Sequence, residues 1–187
     1  MVVNTIFENA VDQLLDVTKR FAAALDQTGL PYRVVGGLSV FLHVDAIDPL
    51  KARLTRDVDV AIDRHHLEAI RAAVEPHGFK YRHVAGVDMF LNATDPRPRS
   101  AVHVLFVNEK VRPDDLSAVP ASEPVRTAEG ILIAPVADLV RMKLTSFRLK
   151  DKVHIQDLDS VGLITPEIES ALPAPLQARL KEVRETE

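Results

Sequence analysis

The sequence predicts an α/β (α+β) domain: a mixed sheet flanked by helices, followed by a helical carboxyl-terminal subdomain. Three observations predict it. Stretches with helix and strand periodicity alternate as far as residue 136. The segment "RDVDVAID", residues 56–63, alternates polar and apolar positions, the period of a strand with one apolar face. Beyond residue 136 the pattern is helical almost throughout.

Each element follows in order. Ile6 to Asp26 carries apolar residues at Ile6, Val11, Leu14, Leu15, Val17, Phe21, Ala22 and Leu25, a helical stripe that Gly29 and Pro31 stop. "YRVVGG" reads as a short buried strand closing on two glycines, and "LSVFLHV" as the start of a helix packed on it. "DAIDPLKARLT" is a loop, and "RDVDVAID" the next strand. "RHHLEAIRAAVEPHGF" is a helix ended by Pro76–Gly78. "YRHVAGVDMFLNAT" gives one or two strands around Gly86, "DPRPR" a loop, and "SAVHVLFVN" a further strand. Residues 109–127 read as irregular, and "GILIAPV" as a short extended segment. "VADLVRMKLTSFRLK" reads as one strong helix, with more helix in the segments after it. Prolines and small residues collect at Ala118–Thr127. This divides the chain into a core with its amino-terminal helix, residues 1–117, and a helical subdomain, residues 118–187.

Composition excludes several classes of function. The chain has 187 residues, 47% hydrophobic and 27% charged, which is a globular balance. It has no cysteine, so disulfides, thiolate metal sites and cysteine nucleophiles are ruled out. A net charge of −4 argues against binding nucleic acid by bulk charge, although Arg and Lys cluster locally at Arg97–Arg99 and Arg141–Lys152. The amino terminus lacks the basic and apolar regions of a secretory signal, and no apolar run approaches the ~18 residues of a membrane span. The expected location is the cytoplasm.

Asp57 and Asp59 are the candidate chemistry. Two apart on a strand, their side chains share one face about 6–7 Å apart, while Val58, Val60 and Ile62 face a core. Two carboxylates side by side repel unless a cation lies between them, and Mg²⁺, or Mn²⁺, suits hard oxygen donors with positions left for phosphate. The plainer alternative is an edge strand whose acids are solvated or paired with Arg56 and Arg64. Gly36 and Gly37 close the preceding strand, allowing close backbone approach or a phosphate-holding turn. Ser39 follows, where a hydroxyl can cap a helix or touch a phosphate.

"VVGGLSVFLH" followed by "LTRDVDVAI" resembles the signature of the nucleotidyltransferase superfamily, the polymerase-β-like fold, and most nearly its bacterial minimal and AbiEii-type members. The later Asp138, Lys143, Arg148, Lys150, Asp151 and Asp157 resemble a second pattern of that group. The resemblance spans roughly Tyr32 to Leu163. It implies that Asp57 and Asp59 hold one or two Mg²⁺ ions, that the Gly36–Ser39 turn cradles the β- and γ-phosphates of an NTP, and that Lys143 faces those phosphates. It implies transfer of a nucleoside monophosphate to a hydroxyl acceptor: protein, RNA or a small molecule. Through the AbiEii-type toxins it also implies a toxin–antitoxin setting with an antitoxin partner.

The superfamily takes a third carboxylate from a later strand, where this chain carries His103. That histidine can ligate metal or serve as a general base. Asp88 on the neighbouring strand is a substitute acid. The alternative reading is a non-catalytic module that keeps the fold and has lost the third carboxylate.

Overall fold

The structure, a computed structural model, describes residues 2–95 and 100–186, with side chains from residue 11 onward. The basic pair Arg97 and Arg99 lies outside the described residues, as does the side chain of Ile6. The chain runs α1 (Val2–Asp26), β1 (Tyr32–Val35), α2 (Gly36–Asp45), β2 (Val58–Ile62), α3 (Leu67–Val74), β3 (Phe79–Val84), β4 (Val87–Asn92), β5 (Val102–Phe106), β6 (Val125–Arg126) and β7 (Leu132–Ile133). Four helices follow: α4 (Val136–Ser146), α5 (Leu149–Ser160), α6 (Pro166–Ser170) and α7 (Ala174–Arg184). Among the described residues, no helix is long and apolar enough to cross a membrane.

The strands form one mixed sheet in the order β3-β4-β5-β2-β1-β7-β6. β2 lies parallel to β5, and β1 parallel to β7. The other neighbours are antiparallel. The segment after residue 118 therefore supplies two strands as well as helices. β6 lies in a stretch read as irregular from sequence, and at two residues it is too short to show a period.

Both faces of the sheet are covered. On one, Val58, Val60 and Ile62 join Phe21, Leu25, Ile70, Phe79 and Phe90 under α1 and α3. On the other, Val35 and Ala61 meet Leu139, Leu144, Ile155, Leu158, Leu176 and Leu180 of α4, α5 and α7. α2 packs edge-on and feeds both, Leu38 and Phe41 to the first and Val40 and Val44 to the second. Burial of these side chains, each worth about 1.5–3 kcal/mol, fixes the register of β2. Asp59 is left where the second core gives way to solvent.

Three boundaries that bear on the site differ from the sequence expectation. β2 begins at Val58, so Asp57, expected on the strand, immediately precedes it. α2 begins at Gly36, not after the glycine pair, because Gly36 turns the chain at φ +71° directly out of β1. Ser39 is thus already inside the helix. The single helix expected over residues 136–150 is two: Phe147 adopts φ 52°, and α5 restarts with a box in which Arg148 and Asp151 satisfy each other.

Candidate active site

Strand pairing assembles the site. Val35, the last residue of β1, stands opposite Asp59. Asp59 stands beside His103 of β5, which in turn pairs with Met89 of β4. Immediately after Val35, Gly36 lies against the Asp59 carboxylate. A β-carbon on Gly36 would fall 2.1 Å from Asp59 Oδ2, so only glycine fits there.

Asp57 and Asp59 open onto one cleft of about 220 Å³. Gly36 and the two acids line it together with Lys143 of α4 and Arg148, Lys150 and Asp151 at the start of α5. The strap from Val111 to Val119 contributes Arg112 and Asp115, and Leu105 and Met142 add apolar surface. Six carboxylates and cations, from β2 and the residue just before it, from α4 and from the start of α5, therefore meet around one volume. The sequence named all six, but the strap lay in the stretch read as irregular. Its only local signal was the turn in which the Arg112 amide donates to Asp115 Oδ2 at 2.9 Å.

The remaining site candidates fall elsewhere. His103 Nδ1 is 3.7 Å from Asp59 Oδ1, and its side chain is a quarter exposed. It stands next to the pair at the position expected of a third acid, without lining the cleft. Gly37 faces away from the cleft, where a β-carbon would meet Thr55 Oγ1 at 2.6 Å and His154 Cε1 at 3.3 Å. Ser39 is fully buried, and its hydroxyl finds no hydrogen-bond partner among the described residues, so it offers no surface to a phosphate. Asp88 is on the wrong face. It pairs across from Val104, a residue of the first core, and accepts from Tyr81 Oη at 2.5 Å and from His83 at 2.8 Å. It cannot substitute for a third carboxylate beside Asp59.

Lys143 is buried rather than exposed on its helix. It is 7% exposed, and its ammonium donates to Asp151 Oδ1 at 3.2 Å. Burial lowers its pKa, while Asp151 and then Asp59 work to keep it charged. Burial raises the pKa of Asp59, and the neighbouring negative charge of Asp57 adds to that; His103 and Lys143 offset part of it. An anion pair disfavoured in this way is relieved by a cation.

Asp151 and His154 set how the site responds to acid. Burial opposes ionisation of Asp151, but the Arg148 hydrogen bond and the Lys143 charge prevail and hold its pKa at about 2. Burial, reinforced by Lys143, lowers the pKa of His154 to about 4. A depressed histidine contributes stability that is complete above its unfolded value near 6.5 and disappears as pH falls from there toward 4. The depressed aspartate contributes above about 3.8 and loses that contribution toward pH 2. Thermal melting followed against pH is therefore expected to decline in two stages. The first, of at most about 3 kcal/mol, should flatten in His154→Gln, and the second should remain.

No protein-family model matches the chain, and no curated protein matches it. Among solved structures it is similar to an antigenic nucleotidyltransferase-like protein from Paracoccidioides brasiliensis, with a TM-score of 0.58 and 17% identity over 95% of this chain and 89% of that one. It also aligns with the antibiotic-resistance factor ANT(2'')-Ia at a TM-score of 0.47 and 13% identity, over 95% of this chain and 85% of that one, a similarity too loose to define a fold. The class that the first likeness defines is a nucleotidyltransferase-like fold: a mixed sheet flanked by helices.

Proposed function

We propose that this protein is a metal-dependent nucleotidyltransferase that moves a nucleoside monophosphate from an NTP to a hydroxyl acceptor. One observation carries the reading: Asp57, just before β2, and Asp59, within it, share a single cleft with Gly36, Lys143 of α4 and Arg148 and Lys150 at the start of α5. The core through residue 117 brings the acids, and residues 118–187 bring Lys143, Arg148 and Lys150.

The donor set fits Mg²⁺ or Mn²⁺. Among the described residues, no three His, Cys, Asp or Glu side chains gather closely enough to hold an ion alone. Mg²⁺ ordinarily takes one or two carboxylates and completes its shell with water and substrate phosphates, and Asp57 and Asp59 are such a pair. The ion supplies neutralisation of the triphosphate and of the charge that develops in transfer.

The chain's own groups do the rest. Lys143, Arg148 and Lys150 attract the β- and γ-phosphates. Gly36, the residue of the α2 turn that lines the cleft, adds its backbone N–H to the same phosphates. Ser39 contributes packing beneath that turn. His103, beside Asp59, accepts the proton of the acceptor hydroxyl as that oxygen attacks the α-phosphorus in line and pyrophosphate leaves. The acceptor is a protein, an RNA or a small molecule. The likeness to AbiEii-type sequences favours a cytoplasmic toxin paired with an antitoxin.

A second reading is supported by His103 occupying the third-acid position: a non-catalytic module that binds nucleotide or a partner. Incubation with α-labelled NTP, Mg²⁺ or Mn²⁺ and a cell extract separates the two. The enzyme labels one class of molecule, and Asp57→Ala abolishes the label. The module labels nothing and keeps its partner in Asp57→Ala.

A further inference from the structure

We infer that Arg179 of α7 is a positioning residue, holding the α4–α5 joint so that Lys143 and Arg148 face the cleft; its role toward nucleotide rests on the function proposed above. The joint is a strained place. Phe147 occupies the left-handed region at φ 52°, which is unfavourable for a residue with a β-carbon. The last carbonyls of α4 also lack helical partners there. Arg179 answers both needs. Its Nη1 donates to Leu144 O at 2.7 Å and Thr145 O at 2.9 Å. Its guanidinium carbon lies 4.8 Å from the centre of the Phe147 ring. Lys152 Nζ approaches the same ring at 4.2 Å while donating to Glu182 of α7 at 2.6 Å. The ring is thus gripped by two cations that both depend on α7.

On the cleft side of the joint, Phe147 N donates to Lys143 O at 2.9 Å. Arg148 Nε donates to Asp151 Oδ2 at 2.8 Å, and Lys143 Nζ to Asp151 Oδ1. The chain of contacts therefore runs unbroken from Arg179 through the turn to the cations lining the cleft. α7 does not need Arg179 for its own docking. Leu176, Leu180 and Val183 are at most 1% exposed, and Arg184 bonds Asp159 and Glu169, each at 2.7 Å. Loss of Arg179 should loosen the joint and leave the helix in place.

The test compares Arg179→Met, Arg179→Lys and, as a control on the same helix, Arg184→Met. Two quantities are read on folded protein: the rate of reductive methylation at Lys143, mapped by peptide mass, and the Kd values of Mg·ATP and of AMP. In Arg179→Met, Lys143 should be modified at least about tenfold faster and Mg·ATP should bind about tenfold more weakly, as expected for losing a charge-assisted contact. AMP, which lacks the β- and γ-phosphates, should change by less than about twofold. Arg179→Lys, which can still donate to the two carbonyls, should recover most of both. Arg184→Met should lower the melting temperature and leave both readouts at wild type. Lys143 remaining protected in folded Arg179→Met, or equally exposed in Arg184→Met, would overturn the inference. If wild type fails to bind Mg·ATP while Arg179→Met exposes Lys143, the proposed function falls and the positioning role stands.

Discussion

Asp59→Asn is expected to abolish nucleotidyl transfer, by at least about 10³-fold, while making the ligand-free protein more resistant to heat. The first half follows from removing one of the two carboxylates on which, in the proposed reaction, the triphosphate and its cation depend. An interaction used at the transition state is worth several kcal/mol, and about 4 kcal/mol is 10³ in rate. The second half follows from the raised pKa of Asp59, which burial causes first and Asp57 reinforces. For an acid shifted upward, the folded state favours the protonated form. That contribution is complete below the unfolded value of 3.8 and is lost as pH rises through the folded one. At neutral pH the ionised group therefore costs stability, and a neutral isostere removes the cost. Transfer assays and thermal melting at pH 7 check the two halves together. Melting lower than wild type would show that the carboxylate is structural.

Gly36→Ala is the second large effect. The new methyl carbon would lie 2.1 Å from Asp59 Oδ2 and 2.9 Å from its Cγ, at a backbone φ of +71°. Left-handed strain alone costs about 1 kcal/mol, and overpacking adds roughly 1–3 kcal/mol. Asp59 must then leave its place beside Asp57, so transfer should fall with stability. Gly29→Ala is the control. Gly29 has φ +68° but nothing within 4 Å of the added carbon, so strain is the whole effect. The double variant Gly36→Ala/Asp59→Ala leaves Asp59 Cβ at 3.1 Å as the nearest atom of that residue. It should be more stable than the two single changes sum to, by about 1–3 kcal/mol. Urea unfolding of the four proteins measures this coupling. Strict additivity would show that Gly36 is needed for its backbone alone.

The parts of the site legible in sequence are those written in local period. Asp59 was readable because strand alternation turns it away from Val58, Val60 and Ile62; Asp57, one residue before the strand, lines the same cleft. His103 was readable because its segment has the same alternation, and β5 does pair in register beside Asp59. Ser39 was not. Its setting depends on where α2 starts, and that is decided by the left-handed turn at Gly36. Asp88 was misplaced because the face of β4 is set by its pairing with β5, a non-local choice. The break at Phe147 is less local still, since the groups that hold it come from Arg179, far along the chain. The strap from Val111 to Val119 follows no period at all. It is placed by contacts such as the Asn108 amide donating to Val119 O at 2.8 Å.

Calorimetric titration of wild-type protein with each NTP, in Mg²⁺ and again in EDTA, tests the central proposal most directly: that Asp57 and Asp59 form one polyphosphate site with Lys143, Arg148 and Lys150. The account predicts binding that requires the metal and is lost in Asp57→Asn and Asp59→Asn. Binding that is unchanged in EDTA or in either variant, or no NTP binding in Mg²⁺ at all, would contradict it.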